Sequence, residues 1–585
     1  MQWQSGAMDN AAPAPSVPSD RMDALDPPWP ARGAIMAALC AVAGVIFYLL
    51  ADAKGMEAPA AFVAVATISF VMTVERRRIG WAAAFALLWA AIIALIVENN
   101  RGYNVNASPV EWPFWSGLLA IIVAAPLFQT WRDVAGGARE WQWHRLPYAR
   151  LHLHAWTDAV IGAAAGLFVG ISMGLAFLIA GLFNLIGIDV LSELLDEGWF
   201  AFGLMGAAFG GAVGLLRERD RLVGTLQRLV MVVLAVLAPV LAAALALFLL
   251  SLVATGLTKL WASGFSTAAM MLGAAAFAVL LANAVIGNGA VDRAANPLLR
   301  WAAPVLAVAV LPLAVIALSA MLLRIGQYGW TPERLWGMVA VLVALGYGLA
   351  GLWAVVRGRR EYDAVLRPMQ QRLAIALMLL ATFLALPLLD FGAISTRDQL
   401  ARLESGAVKP EQFDWAALAF DFGPDGRAAL ATLAKSPDAA LNEPAKVALA
   451  ADHRWDLTDG PAQPVLRPIE KMVRVLPEGA VLEPEIYAAL NRDSPCRRQT
   501  CIVRMQGPDR IVAIGRYRAD EPLDAVWFER DAASKSWRRA TPGSRSATEA
   551  RGETTDLSNA AVTVRPVTMQ QLVVDGRPLG EPFVP

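Results

Sequence analysis

The chain has 585 residues, 57% hydrophobic and 17% charged, with equal numbers of acidic and basic side chains. A soluble domain carries about 25% charged residues, so the composition excludes an ordinary soluble protein. A net charge of zero leaves no basic surplus for a nucleic-acid partner.

Residues 1–32 are rich in Pro, Ala, Asp and Ser and lack a basic stretch followed by an apolar run. They read as a disordered cytoplasmic tail without a cleaved leader. Eleven apolar runs follow, at 33–51, 58–74, 80–97, 113–130, 159–183, 198–216, 229–254, 265–286, 301–322, 336–356 and 373–390. A hydrocarbon core about 30 Å thick needs about 20 helical residues to cross it, so residues 33–390 read as a transmembrane helical domain. One set of alternate loops carries eighteen arginines, from Arg76–Arg78 through Arg132, Arg217 and Arg293 to Arg372. The other set carries five basic residues: Lys54, Arg101, Lys259, Arg324 and Arg334. Basic loops stay in the cytoplasm, so the N-terminus is expected inside and everything after 390 outside, at the inner membrane of a bacterium. The expected fold is an all-α polytopic membrane bundle of about eleven helices, followed by a smaller α+β exported domain with a β-rich end. The basic loops are expected to meet anionic lipid headgroups.

The fifth run places Gly162, Gly166, Gly170 and Gly174 at a spacing of four, and the sixth repeats it with Gly206, Gly210 and Gly214. Such spacing makes one smooth helix face that lets backbones approach closely. The two runs are expected to pack as a tight helical hairpin, or to line a path. Asn184 and Asn283 are the conspicuous polar side chains, read as hydrogen-bonding glue between helices. No acidic or basic group stands near the middle of any run, which weighs against ion-coupled transport.

Residues 139–157 mix Arg139, Trp141, Trp143, His144, Arg145, Tyr148, Arg150, His152, His154 and Trp156, a composition suited to the membrane interface. The histidines lack a carboxylate or thiol at ligand spacing, so no metal site is assigned. Before the tenth run, Arg324 leads through Tyr328 and Trp330 to Thr331, Pro332, Glu333 and Arg334. Thr331 is placed as an N-cap with Pro332 at the first helical position. Tyr328 and Trp330 suit the outer interface, and the two arginines sit where arginine is scarce.

Residues 391–460 read as an exported helical segment, with one element from Asp398 to Leu403 and a second near 425–435. Residues 461–585 read as an exported β-rich domain. Its apolar stretches are Cys501–Met505, Arg510–Arg518, Ala525–Arg530, Trp537–Ala540, Ala561–Val567 and Leu572–Val574. Punctuated as they are by Gly, Asp, Ser and Pro, they suggest a small antiparallel sheet, with a hairpin loop at 531–536. Cys496 and Cys501 are close enough in sequence to close a small disulfide loop, which an oxidising compartment would preserve; two free thiols are the alternative. Neither a nucleophile elbow, a zinc-protease helix nor a phosphate loop is present. No catalytic residue, cofactor or metal is therefore assigned.

Several stretches resemble a bacterial membrane family known as domain of unknown function 4153. They are Leu151–Trp156, Gly256–Trp261, Leu281–Ala284, Tyr328–Arg334, and Gln399–Leu403 running on to Phe413, Asp414, Leu418, Gly423 and Gly426. The resemblance covers about residues 30–435. It implies a multi-pass inner-membrane protein and carries over no reaction, substrate or catalytic residue. On this footing the chain is expected to be a non-enzymatic envelope scaffold whose exported domain binds another envelope protein. A transporter or lipid translocator using the glycine-rich hairpin is the alternative. A membrane glycosyltransferase is a third reading, weakened because its first exported loop offers only Asp52 and Glu57 as carboxylates.

Overall fold

The structure is a computed structural model. It describes residues 29–100, 108–135, 146–256, 266–289, 293–294 and 296–451, and beyond these shorter stretches that include 473–477, 482–493, 501–507, 509–515, 524–530, 537–540, 570–574 and 577–583. The chain divides into two compact units, Met1–Ala450 and Ala451–Pro585.

The first unit is helical. Its long helices are α1 (Arg32–Asp52), α2 (Glu57–Thr73), α3 (Ile79–Asn99), α4 (Ser108–Ala135) and α5 (Tyr148–Asn184). After the short α6 (Val190–Asp196) come α7 (Gly198–Arg217), α8 (Asp220–Thr255), α9 (Thr267–Ile286), α10 (Pro297–Tyr328), α11 (Pro332–Gly358) and α12 (Tyr362–Ala385). Each of the eleven expected runs falls on one of these helices. Among the described residues, nine helical stretches are long and apolar enough to cross a membrane. The ninth, Pro332–Ala385, holds both α11 and α12, which a turn at Arg359–Glu361 separates; α2, at 17 residues, is shorter than the rest.

Two groups of helices make the bundle. In one, α1 packs along α7 and touches α2, α7 also meets α5, and α2 meets α3. In the other, α10 packs against α8, α9 and α11 around a core that includes Ala303, Leu306, Val310 and Leu313. The pair α4 and α12 joins them, with Phe85, Trp89, Ala120, Ala124 and Ala381 buried at the seam.

The glycine pattern finds a different partner from the one expected. A Cβ on Gly206 would overlap the Cys40 carbonyl oxygen, one on Gly210 the Met36 carbonyl oxygen, and one on Gly214 would crowd the backbone of Gly33. The smooth face of α7 is therefore pressed on α1. Among the described residues, nothing lies within 4 Å of a Cβ built on Gly162, Gly166, Gly170 or Gly174. The helices α5 and α7 do meet, as expected of the hairpin, but not through these glycines of α5. Spacing defines a smooth face but cannot say which neighbour occupies it.

The fifth helix also begins earlier than hydropathy suggests. It has 37 residues, about 55 Å at 1.5 Å per residue, against a hydrocarbon core of about 30 Å. Its first turns, 148–157, are the described part of the stretch read as interfacial; they are helical, with His152, His154 and Thr157 buried. Arg139, Trp141, Trp143, His144 and Arg145 lie outside the described residues.

Three further helices complete this unit: α13 (Phe391–Glu404), α14 (Gly423–Leu433) and α15 (Ala439–Ala450). Asp390 caps α13 by accepting from the Ala393 amide at 3.0 Å. This helix is fastened to the turn between α10 and α11. Asp398 accepts from the Trp330 amide at 2.8 Å, Gln399 donates to the Tyr328 and Trp330 carbonyls at 2.9 and 3.0 Å, and Arg402 donates to the Gln327 carbonyl at 2.8 Å. Inside the same turn Gly329 has φ +75°, and Arg334 donates to its carbonyl at 2.6 Å. Thr331 caps α11 from the Arg334 amide, with Pro332 in the first turn, as its residue types require. Arg324 is exposed.

In the second unit, β1 (Val473–Leu476), β2 (Cys501–Gly507), β3 (Arg510–Gly515), β4 (Asp524–Arg530) and β5 (Trp537–Ala540) form one sheet in that order. The sheet is mixed where an antiparallel one was expected, because β1 runs parallel to β2. The connection between them carries α16 (Pro484–Asp493), whose Ile486 and Leu490 pack on Val503, Ile511 and Phe528. A four-residue strand reached through a helix leaves no alternation to read. β4 and β5 pair antiparallel, flanking the expected hairpin loop. A separate hairpin joins β6 (Gln570–Val574) to β7 (Arg577–Phe583). Residues 561–567 lie outside the described residues. Cys496 and Cys501 are joined as a disulfide and buried in this core.

Replacing Gly206 by Leu should cost about 1–3 kcal/mol by overpacking, seen as a lower thermal unfolding midpoint in detergent. Gly166→Leu should leave that midpoint unchanged. Equal effects at both positions would contradict the packing of α7 on α1.

Candidate functional site

Two polar features stand inside the helical unit. The first is a network of charges where the ends of α1, α2, α4, α5 and α7 meet. The last carbonyls of α2 have no partner within their own helix. Arginines from three other helices supply one each. Arg217 donates to the Met72 carbonyl, Arg132 to the Thr73 carbonyl at 2.5 Å, and Arg32 to the Val74 carbonyl at 2.6 Å. Each arginine is balanced by carboxylates: Arg132 pairs with Glu75, Arg32 lies 3.7 Å from Glu218, and Arg217 lies 2.8 Å from Asp158. Asp158 also accepts from Gln129 at 2.5 Å, and His154 Nε2 lies 2.8 Å from Asp133.

Hydropathy reading missed Asp158, His154 and the buried half of Arg132 as a group. Its fifth run starts at 159, whereas the helix starts at Tyr148 and carries both His154 and Asp158. The signal available was the spacing of four between His154 and Asp158, which places both on one face of α5.

The second feature is a partly open cavity of about 890 Å³ bordered by α4, α5, α9, α10, α11 and α12. Ligand cavities commonly run from about 300 to 1,000 Å³. Most of the lining is aliphatic, from residues such as Leu119, Leu272, Val279, Val310, Val343 and Leu377. Along α12 the lining extends from Gln370 to Leu384, about 21 Å at the helical rise.

Its two ends differ. Trp112 and Trp115 from the start of α4, and Trp336 from the start of α11, line one end. Trp112 and Trp336 stack with centroids 5.9 Å apart, and Trp336 meets Phe391 of α13 edge-on at 5.0 Å. The other end takes Tyr148 and His152 from the start of α5, Gln370 and Gln371 from the first half of α12, and Asn283 from the end of α9. There the Tyr148 hydroxyl donates to Gln370 Oε1 at 3.0 Å, and the Trp156 indole donates to His152 Nε2 at 3.2 Å. The hydroxyl of Ser116, near the tryptophan end, is spent on the Ala381 carbonyl at 2.9 Å. Among the described residues, no Asp, Glu, Lys or Arg lines the cavity.

The expected site residues fall in different places. Asn283 lines this cavity, and its buried Oδ1 has no hydrogen-bond partner among the described residues. Its carbonyl is therefore not glue between helices. Asn184 lies at the exposed end of α5, within hydrogen-bond distance of Ser192 on α6. The turn from Tyr328 to Arg334 is a fastening for α13. Neither glycine face borders the cavity, and the disulfide belongs to the other unit. Among the described residues no cluster of His, Cys, Asp and Glu could hold a metal ion.

A helical bundle with so many long apolar helices defines a multi-pass membrane protein. The chain matches the model of the family described as Domain of unknown function (DUF4153) over residues 34–433, and it belongs to that family. The match takes in the bundle with the cavity and all of the charge network but Arg32, together with α13 and α14, and stops short of the β unit. No curated protein and no solved structure matches the chain.

Arg132→Met should cost about 3–5 kcal/mol, because it removes the cation bonded to half-buried Glu75 and the donor to the Thr73 carbonyl. Arg150→Met, at an exposed position of α5, should change stability by less than about 0.5 kcal/mol. Unfolding midpoints of the two variants in one detergent check the difference.

Proposed function

We propose that this chain is a bacterial inner-membrane protein that holds a lipid-like amphipathic molecule inside its bundle. The observation that carries this is the cavity of about 890 Å³, apolar along its length, with amides, a phenol and an imidazole gathered at one end and tryptophans at the other. Water alone is a poor occupant of so long an aliphatic wall, because ordered water needs two to four polar partners. An apolar chain with a polar head satisfies both ends. This moves the lipid-handling reading away from the glycine faces of α5 and α7 and into the space between the two helix groups.

The arginine-rich helix ends meet one another through Arg32, Arg132 and Arg217, which supports the alternation of loops read from their charges. On that reading, the network and the polar end of the cavity face the cytoplasm. The tryptophan end, α13 and the β unit then lie on the periplasmic side. The buried disulfide of the β unit suits such a compartment. We further propose that residues 451–585 capture an envelope protein partner. Neither role calls for a catalytic residue or a cofactor.

Purified protein should carry lipid that native mass spectrometry detects as an added mass. Ala344 lines the cavity, and Ala344→Trp should remove that mass while the protein remains folded. A folded variant that retained the lipid would contradict this assignment.

A further inference from the structure

A lipid held inside the bundle needs a way in that keeps its chain out of water. We infer that the occupant enters sideways from the bilayer, through a gap between α5 and α9, so that the cavity takes an acyl chain directly from a membrane lipid. This rests on the proposed lipid-binding reading and adds the route to it.

The ring of helices around the cavity is incomplete. In the order α5, α4, α12, α11, α10, α9, each helix packs on the next. Among the described residues, no such packing joins α9 back to α5: the helices packed on α9 are α8, α10 and α11, and those on α5 are α4, α6, α7, α8 and α12. Both edges of this gap border the cavity with small, exposed residues, Ala155 and Ala159 on α5 and Ala276 on α9. The two helices run in opposite directions here, since the polar end takes the start of α5 and the end of α9. One turn further from that end the edges continue as Gly162 and Gly273. Among the described residues, a Cβ on either glycine would meet nothing within 4 Å. Helix α8 touches both edges but does not line the cavity. It meets α5 in its own first turns, where Thr157 donates to Gln227 at 3.4 Å and Val160 and Ile161 share a core with Val223. Further along it shares a core with α9 through Ala235, Ala238 and Ala242, while its Leu229, Val232, Val233 and Val236 are exposed.

The gap lies at hydrocarbon depth. Ala276 stands midway along α9, and its neighbour Phe277, which does not line the cavity, is 59% exposed. On α5 the exposed Leu167, Phe168 and Ile171 follow Gly162. These edges offer water no side-chain hydrogen bond, whereas an alkyl chain passing between them keeps apolar surroundings throughout.

A phospholipid with a diazirine on one acyl chain tests the route. It is delivered to proteoliposomes of the full chain, photolysed at intervals, and the adducts are mapped by mass spectrometry. Phe277 reports arrival in the bilayer. Val343 on α11 and Leu377 on α12, half-buried lining residues on helices that do not border the gap, report entry. In the natural chain, labelling of Val343 and Leu377 should keep pace with Phe277. In the double variant Ala159→Trp, Ala276→Trp it should lag by about tenfold or more, an added barrier of about 1.4 kcal/mol. The variant should still reach the natural level when the photolipid is supplied in detergent before reconstitution. Equal time courses in the two proteins would overturn the route and leave the lipid site standing. So would interior labelling of the natural chain after preloading alone. Loss of labelling in the variant even after preloading would do the same, because Ala159 and Ala276 would then belong to the binding space and not to its mouth. No interior labelling of the natural chain by either procedure would overturn the lipid-binding reading itself.

Discussion

The carbonyl groups at the end of α2 set the terms for the rest of the bundle. A helix end buried away from water must have its free backbone groups met by protein. Here Arg32, Arg132 and Arg217 reach them from three other helices. Those contacts bring the start of α1 and the ends of α4 and α7 to one place. Buried arginines need compensation in turn, and Glu75, Asp158 and Glu218 provide it. A polar cluster of this kind fixes which helix ends lie together more sharply than apolar contact can. The same logic recurs in the second helix group, where Arg367 meets the last carbonyl of α9 and is balanced by Asp363.

The cavity follows from that arrangement. The two helix groups are each tightly packed, α7 on α1 through glycines and α10 on α11 through Gly348 and Gly351 against Leu311 and Ala307. Between them lies the cavity, whose lining includes the small residues Ala155, Ala159, Ala276, Ala340, Ala344 and Ala374 where larger side chains would fill space. Lining helix α5 connects the two polar features. His152 faces the cavity, while His154 and Asp158 belong to the charge network. At the other end α13 ties Phe391 to Trp336 and clasps the turn before α11. One helix thus touches the polar end and another the aromatic end.

Much of the bundle is legible in the sequence because hydrocarbon demands long apolar helices, and the eleven runs mark them. The start of α11 is equally plain, since Thr331 and Pro332 are the residue types that open a helix. The first three turns of α5 are not, because His152, His154 and Asp158 are paired inside the bundle and hydropathy counts them as surface. The glycine faces are visible as faces, but the partner of each is a property of the packing. The cavity has no local signature at all. Its walls are ordinary aliphatic residues from six helices, and Asn283 stands out in the sequence only as a polar residue in an apolar run. The β unit shows the converse. Its antiparallel strands alternate and are read easily, while β1 and α16 are too short and too mixed in character to announce a parallel pairing.

If the space between the helix groups holds an oriented lipid, a high-resolution electron cryomicroscopy map of the natural chain in a lipid nanodisc should show elongated density along α12 between Gln370 and Leu384, with its broader end beside Tyr148, His152 and Gln370. A map in which side chains close that space, or in which it holds only scattered water, would rule the lipid site out.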